Sequence, residues 1–184
     1  MANLPSPPEP VKFFAAILWK GEGALDRSLA RIRETWGGID HEGPDHPFDA
    51  TDYYEREMGP DLKRRIVSFV PILPPESLVE VKLAAMAIEE ELRGPSGRRI
   101  NLDVGYMDVH KVVLGSVKYA AQKIHLGKGV HADIVCRYSK GAFHSFEWSF
   151  PDFKDGRYEE ELLRIRELYK VQLRRLRGEA LDLP

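Results

Sequence analysis

The spacing of apolar and polar positions changes along the 184 residues, and each change marks an element. Lys12 to Trp19 is almost continuously apolar around Phe13-Phe14-Ala15-Ala16-Ile17-Leu18, the pattern of a strand covered on both faces. Past Gly21 and Gly23, residues Leu25, Leu29, Ile32 and Trp36 recur at three- and four-residue spacing until Gly37-Gly38, which predicts an amphipathic helix. Ile39 to Ala50 carries Gly43, Pro44 and Pro47 among acids and histidines and reads as an irregular loop or a short edge strand. Asp52 to Glu57 and Leu62 to Ile72 read as the strands of a hairpin joined through Gly59-Pro60. Pro74-Pro75 then opens a helix to about Arg93, striped by Leu78, Val81, Ala85, Ile88 and Leu92 and closed by Gly94.

From Arg98 the period becomes two, with Ile100, Leu102 and Val104 on one face and Arg99, Asn101 and Asp103 on the other. Val112 to Val117 is a further strand, followed by a short segment around Tyr119 to Gln122. A meander of three alternating strands comes next, split at Gly127-Lys128-Gly129 and Ser139-Lys140-Gly141. Tyr158, Leu162, Ile165, Tyr169, Leu173 and Leu176 stripe a last helix whose acidic first turns and basic last turns suit the helix dipole. The order βαββαβ over about residues 12–105 is the ferredoxin-like signature. The predicted class is therefore α+β, a ferredoxin-like core extended by an antiparallel β-meander and a C-terminal helix. Residues 11–184 read as one domain, and the prolines in residues 1–10 as a flexible leader.

Composition narrows the setting. With 43% hydrophobic and 30% charged residues the chain suits one globular domain, and 27 basic against 29 acidic residues give a net charge of −2. That balance supplies no field for polyanions and argues against nucleic acid as a partner. A lone Cys136 allows no intrachain disulfide, and no segment approaches the ~20 apolar residues of a membrane span. The expectation is a cytoplasmic protein with no membrane partner.

Motifs for chemistry mostly exclude. G-x-x-x-x-G-K-[ST], G-x-G-x-x-G and G-x-S-x-G are all absent. His41-Glu42-Gly43-Pro44-Asp45-His46 has the wrong spacing for a zinc helix and a proline within it; a loop metal site from His41, Asp45 and His46, or a solvated acidic loop, remains. Alternation in Val130 to Tyr138 sets His131, Asp133 and Arg137 on one face, opposite Ala132, Ile134 and Cys136. It also sets Lys123 and His125 against Ile124. Over Phe143 to Phe150 it sends Phe146, Trp148 and Phe150 to the core and Ser145, Glu147 and Ser149 to the polar side.

If Arg99, Asn101 and Asp103 join that polar face, it can hold an anionic ligand, or bind a divalent metal through Asp103, His131 and Asp133. It can equally do acid–base work with Glu57, Asp103, His131 or Glu147, or carry ordinary cross-strand ion pairs. Tyr53-Tyr54 beside acids offers a stacking wall or plain packing, and Lys82 and Glu89, seven residues apart, edge one helix face.

Three segments together, Thr51-Asp52-Tyr53-Tyr54-Glu55-Arg56-Glu57-Met58-Gly59, Arg99-Ile100-Asn101-Leu102-Asp103-Val104-Gly105-Tyr106 and Trp148-Ser149-Phe150-Pro151-Asp152, carry a resemblance that spans nearly the whole chain. The sequence resembles an uncharacterised prokaryotic family, domain of unknown function 4416, whose members are of similar length and sometimes labelled GTP-binding. The resemblance points to Thr51, Tyr53, Tyr54, Glu57, Gly59, Lys82, Arg99, Asn101, Asp103, Gly105, Tyr106, Lys118 and Trp148. Val104 stands where the family usually has proline, and His131 and Asp133 where it has an aromatic residue and a glutamate. The phosphate loop and the [NT]-K-x-D guanine motif are missing.

The expected function is binding of a small anionic ligand, a nucleotide or phosphorylated metabolite, on the polar sheet face, with a divalent metal as an open option. Lys82, Arg99, Lys118 and Lys123 would meet the charge, and Tyr53, Tyr54, Asn101 and Tyr106 would wall the ligand. The competing class is a non-enzymatic module that docks a partner or a second copy of itself through the sheet or the last helix. Whether catalysis accompanies binding stays open at this point.

Overall fold

The computed structural model describes residues 5–95 and 97–178. Its centre is β1 (Val11–Trp19), buried along almost its whole length and paired antiparallel on both sides, with β4 (Lys63–Leu73) and β5 (Ile100–Met107). Outside β4 lies β2 (Ile39–Glu42), and outside β5 follow β6 (Lys111–Ser116), β8 (Val130–Ser139) and the edge strand β7 (Ile124–Gly127). Two short strands, β3 (His46–Pro47) and β9 (Ala142–Ser145), pair with β4 and β8. Among the described residues these nine strands form one antiparallel sheet, so the fold is α+β.

Helices cover both faces, which is why β1 reads as an unbroken apolar run. Phe13, Ala15 and Ile17 pack beneath α1 (Ala24–Trp36) and α3 (Leu78–Glu91) in one cluster with Leu25, Ile32, Val81 and Ile88. Phe14 and Ala16 point the other way, into a cluster with Phe153 of α4 (Pro151–Lys154) and Leu162 and Ile165 of the C-terminal α5 (Glu159–Arg177). A smaller cluster, Leu18, Phe48, Leu62 and Met58 of the one-turn helix α2 (Glu55–Met58), supports the ring of Tyr54. Cys136 lies in the α5-side core; burial first, and Glu159 second, push its thiol pKa up to about 12.

Of the proline-rich leader, the first four residues lie outside the described residues. Residues 5–10 have no regular structure, although the Tyr169 hydroxyl donates to the Pro10 carbonyl at 2.8 Å and Arg177 pairs with Glu9. Among the described residues no helix is long and apolar enough to cross a membrane.

Three local expectations are corrected. Asp52 to Glu57 is no strand: Glu55 N–H closes a turn onto the Asp52 carbonyl at 2.9 Å and the chain enters α2, which ends at Gly59 with φ 79°. Adjacent Tyr53 and Tyr54 break the alternation that a half-buried strand needs. The run from Phe143 leaves the sheet after Ser145, because the Ser149 hydroxyl donates to the Val135 carbonyl at 2.5 Å and accepts the Phe146 N–H at 2.9 Å. That turn buries Ser149 and leaves Trp148 and Phe150 41% and 38% exposed, the reverse of the period-two expectation. In β8 a register shift pairs Val112 with Cys136 but Val113 with Ile134, so Val135 is an extra residue. Val135 and Cys136 both enter the α5-side core, and Arg137 therefore falls on the opposite face from His131 and Asp133.

Strands β5 and β6 pair only over Gly105–Met107 and Val112–Leu114, and Gly105 sits at the point where they part. A Cβ there would lie 2.3 Å from the Val113 carbonyl oxygen and 2.7 Å from Leu114 Cδ2. Gly105→Ala must spread the two strands at their only ladder, with an expected loss of about 1–3 kcal/mol, measured as a fall in the urea midpoint.

Candidate functional site

Below Gly105 the β6-facing edge of β5 has no strand beside it, and two side chains of α3 take the strand's place. Glu89 Oε1 accepts the Leu102 N–H at 2.6 Å, and Lys82 Nζ donates to the Leu102 carbonyl at 3.1 Å. Seven residues apart is two helical turns, so both groups leave the same face of α3. Gly115 of β6 gives the Lys82 stem room to pass, since a Cβ there would lie 3.2 Å from Lys82 Cβ. The gap between the strands is a cavity of about 190 Å³ with Lys82 and Glu89, Asn101 and Asp103, Lys123 and Asp133 among its walls. Tyr54, Arg98, Lys118 and Phe150 rim it.

The carboxylates of the cavity are already matched. Asp133 Oδ2 lies 3.3 Å from Lys123 Nζ, which also donates to Ser116 Oγ at 2.9 Å. Asp103 accepts from Arg64 Nη2 at 2.8 Å, while Arg64 Nη1 reaches Asp152 at 2.5 Å and the Tyr158 hydroxyl donates to the same Asp152 oxygen at 2.9 Å. Arg64 is 2% exposed and lies over the Phe48 ring; burial works against its charge, but Asp103 and Asp152 more than reverse this and hold its pKa above the ordinary value. Arg98 grips Glu57 through two bonds of 2.8 and 2.6 Å, and its Nη1 reaches Glu89 at 3.2 Å and Asn101 Oδ1 at 3.0 Å. That grip draws the Glu57 pKa down.

Lys82 stands apart. It is 7% exposed, its one hydrogen bond goes to a neutral carbonyl, and it forms no ion pair among the described residues. Two buried polar atoms of the walls, Asn101 Nδ2 and Asp133 Oδ1, have no hydrogen-bond partner among the described residues. Lys118 bonds the Tyr53 hydroxyl and sits over that ring, 4.2 Å from its centroid.

Burial raises the Glu89 pKa above its ordinary 4.5, against the opposing pull of Lys82, the Leu102 N–H and Arg98. With the folded value raised, this group's contribution to stability is fully present below the unfolded pKa and is lost as pH rises through the folded one. Glu89→Gln cannot titrate, so its stability relative to the parent is expected to increase between pH 4 and pH 7, read from urea midpoints at both.

The structure gathers Tyr54, Lys82, Asn101, Asp103, Lys118, Lys123 and Asp133 around one cavity and leaves other candidates outside it. Arg99 is exposed and lines a separate groove with Lys20 and Glu57, because β5 begins one residue later and its neighbour Arg98 turns inward instead. Tyr106 lies on the α1/α3 side with its ring edge-to-face with Phe13 at 5.8 Å. Glu147 is exposed, and its carbonyl accepts a bond from Lys154. His131 lies outside the cavity walls, 5.0 Å from the His125 ring with Nδ1 buried and unpartnered. Tyr53 lines an adjoining cavity.

No group of three His, Cys, Asp or Glu side chains that could hold a metal occurs among the described residues. Asp103 and Asp133 are taken by Arg64 and Lys123. In the His41 loop, Asp45 pairs with Arg65 and His46 bonds Glu161, so the three candidate ligands do not converge. Arg64, Arg98 and Asp152 were not among the expected site residues. Within Lys63-Arg64-Arg65 the signal for Arg64 was its period-two step with Ile66 and Ser68; those three share the buried, α5-facing side of β4.

No curated protein and no solved structure matches the chain. A family model described as a domain of unknown function (DUF4416) matches residues 9–169, and the chain belongs to that family.

Proposed function

We propose that the protein binds a small anionic ligand, a phosphorylated metabolite or nucleotide, in the cleft where β5 and β6 part. The observation that carries this is Lys82. Glu89 acts on the ammonium through space but forms no ion pair with it, so the cost of burying Lys82, several kcal/mol for an unpaired charge, is only partly offset until an anion enters the open cavity. Lys118 and Lys123 flank the same space and Asn101 Nδ2 offers a further donor. The neighbouring carboxylates are each engaged by Arg64, Arg98 or Lys123, which favours an anion over a metal ion as the occupant.

The same proposal takes the β2-β4-β1-β5 order, with α1 and α3 on one face, as a ferredoxin-like unit that holds the cleft at its β5 edge; the antiparallel pairings support this. A second reading, an interaction module, is favoured by one feature. Tyr119 and Ile124 are 79% and 62% exposed beside the edge strand β7, whose outer backbone groups are open to another strand.

A thermal-unfolding titration with inorganic phosphate and sugar phosphates separates the two. Ligand at 100 times its dissociation constant adds about 2.7 kcal/mol of stability, so a saturable rise in Tm supports the anion site. An unchanged Tm across the series overturns it and transfers the function to the β7 edge.

A further inference from the structure

A second cavity, of about 230 Å³, adjoins the first and shares Tyr54, Lys118 and Phe150 with it. The chemistry changes across that shared wall. The first cavity sets ammonium, carboxylate and amide groups among apolar walls of Met86, Leu114 and Val117, whereas Phe48, Tyr53, Tyr54, Phe150 and Pro151 make up most of the second. Of the charged groups that reach the second cavity, Arg64 and Asp152 are locked to each other at 2.5 Å and Lys118 bonds the Tyr53 hydroxyl. Its aromatic rings are set at steep angles. Tyr53 and Tyr54 meet edge-to-face at 5.0 Å and 83°, and Tyr54 and Phe48 at 5.9 Å and 66°. Tyr53 and Phe150 remain 60% and 38% exposed, apolar surface that the protein alone leaves in water.

We infer that the ligand carries a planar ring joined to its anionic group, with the anion at Lys82 and the ring between the aromatic walls of the second cavity. The inference rests on the anion site proposed above and narrows what that site takes. Size supports it: ligand pockets begin at roughly 300 Å³, more than either cavity offers alone, and the two adjoin at Tyr54, Lys118 and Phe150. Ring chemistry fits better than an alkyl chain, because Phe48, Tyr53, Tyr54 and Phe150 are all aromatic and aromatic pairs gain beyond their buried area in edge-to-face or offset-stacked arrangements. Lys118 is placed at the junction. It bonds the Tyr53 hydroxyl and lines both cavities, so it faces the anion from one side and steadies a wall of the ring compartment from the other. A bare phosphate would fill the first compartment and leave the exposed aromatic rings wet.

The test is isothermal titration calorimetry of the full chain with inorganic phosphate and with phenyl phosphate at a pH above about 8, where both are dianions and differ by one ring. Phenyl phosphate is expected to bind roughly 10-fold tighter or more, the worth of burying a ring against aromatic walls. Thr51 lines the second cavity and not the first. Thr51→Phe fills that compartment, and the affinity ratio of the two ligands should fall toward one. Phosphate binding with no gain from the phenyl ring in the parent protein overturns the ring compartment while leaving the anion site standing. Binding of neither ligand overturns both.

Discussion

Arg64→Met is expected to destabilise the protein by about 3–5 kcal/mol, the usual result of removing one partner from a buried ionic cluster. The guanidinium is 2% exposed and joins Asp103 of the sheet to Asp152 of α4. Without it two carboxylates face each other with only the Tyr158 hydroxyl bond left to Asp152. A domain with a total stability of about 5–15 kcal/mol would lose a large share of it, and urea unfolding measures the change directly. Arg64→Met combined with Asp103→Asn and Asp152→Asn should recover much of the loss, because no unpaired charge is then buried. A single-variant loss below about 1 kcal/mol would mean that water already reaches these carboxylates.

Lys82→Met is expected to have the opposite profile, with folding stability kept and function lost. The methionine preserves the stem that passes Gly115 and removes the ammonium. What disappears is one bond to the Leu102 carbonyl, worth about 1 kcal/mol, and the through-space pull on Glu89, together with the larger cost of a buried ammonium that no carboxylate among the described residues pairs with directly. The ligand-free variant should therefore unfold at the same urea concentration as the parent or slightly above it. Phosphate affinity should fall by about 2–3 kcal/mol, on the order of 30- to 150-fold, as when one partner of a buried charge pair is truncated. A residue that hurts binding while relieving the fold is one kept for its ligand.

Much of the scaffold was legible in the chain, for identifiable reasons. Period alone located β1, α1, β4, α3, β5 and α5, because each buries a long regular face and the hydrophobic pattern has to follow. The meander was less legible at two places. The bulge at Val135 changes which face Arg137 takes, and a single inserted residue leaves no mark in an alternating pattern. The turn at Ser149 is set by two side-chain bonds to the backbone that have no period.

For the site, Lys82, Asn101, Asp103, Lys118, Lys123 and Asp133 were reached from the sequence, by alternation or by the family resemblance. The cavity itself was not, since it exists only because β5 and β6 stop pairing at Gly105 and α3 lends Lys82 and Glu89 to the open edge. Arg98 and Arg99 show the limit most simply. They are adjacent, identical in chemistry and one step apart in register, and only the inward one lines the cleft.

The claim that the β5/β6 cleft is an anion site comes down to Lys82, and one comparison addresses it: the Tm of the parent protein and of Lys82→Met, each with and without saturating phosphate. The expected result is a phosphate-induced rise in the parent and none in the variant, with the ligand-free variant no less stable than the parent. An equal rise in both proteins would place the phosphate elsewhere on the surface, and a ligand-free variant that unfolds several degrees earlier would make Lys82 a structural residue and contradict its role as the anion's partner.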